Sequence, residues 1–114
     1  DAVLFVTPEH NRSIPAALKN ALDVGSRPYG QNVWDGKPAA IISHSPSNLS
    51  GFGANHHLRQ PLAFLNMQVL QQPEAYLANV HEMLDDSGKI NRQDTVDFLQ
   101  GFVDAFVNLI KKHQ

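Results

Sequence analysis

Two stretches, the unbroken apolar run Ala2–Val6 and the run Pro38–Ser43, apolar up to its final serine, constrain this chain more than any other feature. Neither alternates between apolar and polar residues. A strand that packs on both faces reads this way, as in a parallel sheet covered by helices on either side. The residues between the runs support that reading. Ile14, Ala17, Leu18, Ala21 and Leu22 fall on one helical stripe, with Ser13 as the expected N-cap and Pro15 in the first turn. Gly25 and Pro28 then end the helix, and Ser26–Lys37 is a long surface connection.

Beyond the second run, a small-residue loop (Ser45–Gly51) leads into a helix ending near Asn66. Pro61 inside it predicts a kink or a late start. A short third strand is expected over Met67–Leu70, followed by an irregular stretch, Gln71–Asn91, with a short helix near Asn79–Leu84. Val96, Leu99, Val103, Phe106, Val107 and Ile110 repeat at three and four and define a final helix. Asn91 is its expected cap, and Lys111 and Lys112 suit its carboxyl-terminal dipole. Alternating strands and helices give a parallel α/β, three-layer fold class.

Composition narrows the function. With no cysteine, disulfides, thiol nucleophiles and thiolate metal sites are excluded within the chain, which suits a cytoplasmic protein. A net charge of −2 gives no reason to expect nucleic acid or an acidic membrane surface. It also lacks the acidity that a docking electron carrier would favour. No apolar run is long enough to span a bilayer. His44, His56 and His57 lack a familiar metal-ligand spacing, and Asp85–Ile90 fails the register of a calcium loop; both read as polar surface and turn.

In open α/β sheets, ligands bind outside the carboxyl ends of the strands. Two loops leave strands at that edge, Thr7–Ser13 and Ser43–Asn55, and both are rich in small side chains and amides. A flat polar ring can approach such backbone closely.

The residues Thr7-Pro8-Glu9-His10-Asn11, Ser13-Ile14-Pro15 and Leu18-Lys19-Asn20-Ala21-Leu22-Asp23 resemble a block of the NADPH-dependent FMN reductase family. The match continues through Trp34, Gly36-Lys37-Pro38, His57-Leu58-Arg59-Gln60 and Gln72-Pro73-Glu74, in order and with compatible spacing. Among relatives it looks nearest to the bacterial quinone and chromate reductases. The resemblance implies a flavodoxin-like domain that binds FMN, uses NAD(P)H as co-substrate, and reduces quinones, chromate or related small-molecule acceptors by a ping-pong scheme. It also implies flavin contacts from Pro8, Glu9, His10, Asn11 and Ser13 in one turn and from Ser45, Pro46, Ser47 and Gly51 in the other. No catalytic side chain is assigned, because the flavin carries the chemistry. Arg59 and Glu74 are implied at subunit contacts of a homodimer or homotetramer.

Two departures stand out: His10 occupies a position usually held by tyrosine, and Ser43-His44-Ser45-Pro46-Ser47-Asn48 is poorer in glycine than the family's second loop. The family's phosphate loop and first two strands have no counterpart in residues 1–114. The expectation is therefore a carboxy-terminal portion of one domain that binds flavin weakly or not at all by itself. The alternatives are a flavodoxin-like carrier and a flavin-free remnant. Trp34, Tyr29 and Tyr76 are further candidates for the mouth of the site.

Overall fold

The computed structural model describes residues 1–114. Its elements are β1 (Val3–Pro8), α1 (Ala16–Gly25), β2 (Pro38–His44), α2 (Phe52–Phe64), β3 (Gln68–Val69), β4 (Ala75–Leu77), a 3₁₀ turn (Val80–Glu82) and α3 (Gln93–Lys112). The apolar run Pro38–Ser43 becomes the central strand. β2 pairs in parallel with β1 along its whole length, from Val3 opposite Ala39 to Pro8 opposite His44. On its other side β2 meets two short strands. β3 lies beside Pro38 and Ala39, and β4 beside Ile42–His44. Pro73, which has no N–H to give to a ladder, stands in the break between them. The third strand is thus shorter than the sequence suggests, and β4 occupies a stretch that had read as irregular.

Alternation along the strands sorts two cores. Phe5, Ala39 and Ile41 point to one face, where Leu22 of α1 and Leu58 and Leu62 of α2 bury against them. Ala40 and Ile42 point to the other face, under Phe102 and Phe106 of α3. β1 departs from the expectation of burial on both sides: Leu4 and Val6 are 42% and 58% exposed, because α3 packs over β2 and leaves β1 uncovered.

The helix ends also differ from expectation. Pro15, not Ser13, is the N-cap of α1, and no side chain caps it. Arg92 holds that position in α3, while the Asn91 side-chain amide donates to the Glu82 carbonyl at 3.4 Å. α2 begins at Phe52 and runs through Pro61, which falls in its last turn, so the proline delays nothing. Trp34 is a packing residue. Its indole N–H donates to the Leu22 carbonyl at 3.0 Å, and its ring centroid lies 6.1 Å from that of Phe5. It and the exposed Tyr29 belong to the connection entering β2, at the amino edge of the sheet.

Candidate functional site

Because β1 and β2 are parallel and in register through Pro8 and His44, the turns that follow them emerge side by side at one sheet edge. All nine residues singled out for the site lie there. The first turn is closed by reciprocal bonds, His10 N–H to Ser13 O at 2.9 Å and Ser13 N–H to His10 O at 3.0 Å. Its central residues, Asn11 (φ 52°) and Arg12 (φ 67°), are both left-handed. This is the primed geometry of a tight two-residue turn, which asparagine tolerates better than most residues. No group of the chain accepts from the amides of Asn11 and Arg12, which leaves both available to a ligand.

The second turn is braced from beneath. The Ser43 hydroxyl donates to Ser50 O at 3.0 Å, and the fully buried Asn55 side chain donates to the Ser43 hydroxyl at 3.3 Å. Ser45 N–H donates to Leu77 O at 3.1 Å, and the Ser47 hydroxyl receives Leu49 N–H at 3.2 Å. Gly51 (φ 74°) opens α2, and a Cβ there would stand 2.9 Å from Ser43 Cβ. Only glycine fits this position without displacing the strand end. Pro46 lies at the exposed outer part of the loop.

Glu9 joins the two turns. Its carboxylate accepts Ala54 N–H at 3.0 Å at the start of α2 and the Arg12 guanidinium at 2.8 Å. The Glu9 side chain is 7% exposed while that of Arg12 is 71% exposed. Burial pushes the Glu9 carboxyl up, but hydrogen bonds from Arg12 and from the Ala54 and Gly53 amides outweigh it, and the net shift is downward. The approach is close enough that a Cβ on Gly53 would fall 2.7 Å from both Arg12 O and Glu9 Oε1. Glu9 is thus committed to holding the turns together, and the outward groups are main-chain amides and the Asn11 side chain.

Two side-chain constellations flank these turns, and neither is visible in local sequence. On one side, His57 Nδ1 of α2 lies 3.0 Å from Ser13 Oγ, which accounts for the serine's absence from the α1 cap. The pair borders a cleft of about 510 Å³ lined also by Ile14, Lys19, Gln60 and Pro61. On the other side, His56 Nε2 lies 2.7 Å from the Tyr76 hydroxyl, which donates to Glu74 Oε2. Because that hydroxyl proton goes to Glu74, His56 is the donor in the first bond. Phe52 packs on both rings, 4.3 Å from His56 and 5.3 Å from Tyr76 between centroids. Burial, then Glu74, pushes the Tyr76 phenol up to about 12. Tyr76 is the one aromatic candidate beside the site, because β4 pairs with the carboxyl end of β2. Arg59 Nε donates to Asn55 Oδ1 at 3.0 Å, and its charge acts on Glu74 without a direct ion pair. His44 ends β2, and no cluster of three or more His, Asp or Glu is placed to hold a metal. Asp85 accepts Ser87 and Lys89 amides at 2.9 and 3.0 Å, closing the turn ahead of α3.

The donor set suits the ring end of FMN. The unpaired Asn11 and Arg12 amides of the first turn and the small serine- and glycine-rich second turn suit the polar edges of an isoalloxazine, and the one buried carboxylate is neutralised by its partners.

The sequence profile of the NADPH-dependent FMN reductase family matches residues 1–82. A quinone reductase of Pseudomonas putida is 60% identical over 111 residues, which are 97% of this chain and 59% of that protein. A 2-hydroxy-1,4-benzoquinone reductase of a Burkholderia species is 44% identical over 97% of this chain and 61% of its own length. In structure, the Paracoccus denitrificans flavoenzyme FerB, an NAD(P)H:(acceptor) oxidoreductase, superposes with a TM-score of 0.90 at 47% identity, over 98% of this chain and 62% of FerB. The chain thus spans about three fifths of the length of these relatives.

Proposed function

This chain belongs to the NADPH-dependent FMN reductase family, and from that premise we propose that the protein is an NAD(P)H-dependent, FMN-containing oxidoreductase that reduces quinones and related acceptors such as chromate. The observation that carries the proposal is the Glu9–Ala54 bond, which fixes two amide-rich turns as neighbouring walls at the carboxyl edge of a parallel sheet. The names of the relatives, quinone reductase and 2-hydroxy-1,4-benzoquinone reductase, supply the acceptor class.

When bound, FMN supplies two-electron chemistry between a nicotinamide and an acceptor. The chain's part is to bind and orient. The Asn11 and Arg12 amides and the Asn11 side chain would hold one edge of the ring, and Ser45, Ser47 and Gly51 the other. Donors fixed before the reaction stabilise charge without reorganising during it. Glu9 and Gly53 set the width of the slot, and Ser43 with Asn55 keeps the second wall from shifting.

We further assign Arg59 and Glu74 to a subunit contact of a homodimer or homotetramer, and the protein to the cytoplasm. The half-exposed His56–Tyr76–Glu74 group offers charged and hydrogen-bonding atoms to a second chain at that point. The test of function is steady consumption of NAD(P)H by the FMN-loaded protein on addition of a quinone or of chromate. A flavin that is reduced only by a partner protein would instead make it a carrier.

A further inference from the structure

Reduction of a quinone to a hydroquinone takes two electrons and two protons. In the overall reaction NAD(P)H provides both electrons and one proton as a hydride equivalent, and the second proton must come from elsewhere. We propose that His57, oriented by Ser13, delivers that proton from Nε2 to the acceptor's carbonyl oxygen. The proposal rests on the quinone reductase reading above and adds to it a catalytic side chain. The balance is NAD(P)H plus quinone plus His57 imidazolium giving NAD(P)⁺ plus hydroquinone plus neutral His57. The new O–H bond forms at the acceptor as the Nε2–H bond breaks, and solvent reprotonates the ring.

Four observations lead to His57. It stands one residue past His56 on α2, yet it faces the opposite side, toward the first turn, where its Nδ1 lies 3.0 Å from Ser13 Oγ. Ser13 closes the turn that would hold the flavin ring, so the imidazole is anchored to that wall of the slot. The bond occupies Nδ1 and leaves Nε2 without a partner in the chain. The imidazole also borders the roughly 510 Å³ cleft, which is large enough for a single aromatic ring and has Ile14 and Pro61 as apolar walls.

The chemistry suits histidine. It is the side chain that ordinarily changes charge between pH 5 and 8, so it can both donate a proton and recover it near neutrality. Ser13 is a positioning residue. By accepting from Nδ1–H it keeps that proton in place and leaves the one on Nε2 mobile. The other charged group lining the cleft is Lys19 of α1, which is paired with Asp23 at 3.0 Å and so presents a neutralised pair to the imidazole. Gln60, one turn beyond His57, can hydrogen-bond an acceptor substituent without titrating.

The experiment uses full-length, FMN-loaded protein and two acceptors. A quinone needs the proton, whereas ferricyanide takes electrons alone. In H57N the side-chain amide can still reach the Ser13 hydroxyl but cannot act as an acid. Quinone kcat/KM at pH 7 is expected to fall about 100-fold, with ferricyanide reduction within about 2-fold of the parent and FMN affinity unchanged. The solvent isotope effect on quinone reduction and the alkaline limb of its pH profile, where an essential acid loses its proton, should change with it. S13A is expected to lower the ratio of quinone to ferricyanide kcat/KM about 10-fold, measured at saturating FMN, and S13T to restore that ratio. As a readout apart from turnover, the His57 ring nitrogens followed by NMR should shift when a redox-inert quinone analogue fills the cleft.

Quinone reduction preserved in H57N would overturn the proposal. So would parallel loss with both acceptors, because that would place His57 in flavin binding. A parent protein that reduces ferricyanide but no quinone would instead sink the reading of function on which the proposal stands.

Discussion

Removing the Glu9 carboxylate should loosen the slot and destabilise the fold together. In Glu9→Ala, the Ala54 and Gly53 amides at the start of α2 lose their acceptor, and the Arg12 guanidinium loses its partner. An amide left without an acceptor in a largely buried setting costs about 1–3 kcal/mol. Losing negative charge at a helix N-terminus adds about 0.3–1 kcal/mol. The Arg12 pair adds little, because the arginine is 71% exposed. The sum is about 1–4 kcal/mol, read as a lower urea midpoint with an unchanged slope. Glu9→Gln keeps one acceptor oxygen and should lose about half as much. The pH dependence is a second check. The folded carboxyl lies below its ordinary value of 4.5, so its contribution is present above that value and is lost as pH falls through the folded pKa. The parent should therefore lose stability on acidification below pH 4.5 more steeply than Glu9→Gln does. A Glu9→Ala midpoint equivalent to less than about 0.5 kcal/mol from the parent would refute the tie.

Three further outcomes follow from the same geometry. Gly53→Ala places a Cβ 2.7 Å from Arg12 O and Glu9 Oε1, so FMN affinity should fall at least about tenfold by fluorescence titration, a loss of about 1.4 kcal/mol or more in binding free energy. Arg59→Glu should repel Glu74 and shift the sedimentation profile toward smaller species; an unchanged profile removes Arg59 from the interface. Tyr76 should resist ionisation until about pH 12 in an ultraviolet titration, and Glu74→Gln should bring its transition down toward the ordinary tyrosine value.

The parallel α/β layout was legible because the two apolar runs and the α1 and α3 stripes express burial directly in residue type. The two turns were legible through the family block that spans them. The rest depends on tertiary placement. Leu4 and Val6 are as apolar as Phe5, and no local signal marks which face of β1 α3 leaves open. β4 is three residues long and follows Pro73, so periodicity cannot register it. That strand alone brings Tyr76 to His56, twenty positions away. Ser13 carries a helix-capping signature, but His57 lies 44 positions downstream and takes the hydroxyl instead. Glu9 reads as a ligand residue from its family position, and only the fold reveals that its carboxylate is turned toward α2.

The central claim is that the turns after β1 and β2 form one slot for a flavin ring. Amide chemical-shift perturbation by FMN, followed residue by residue, tests it directly. The account predicts that Asn11 and Arg12 shift together with Ser47 and Gly51 along a single binding curve, while Tyr29 and Val33 at the far edge stay still. Shifts confined to one turn, two different curves, or movement centred on the α1–β2 connection would contradict it.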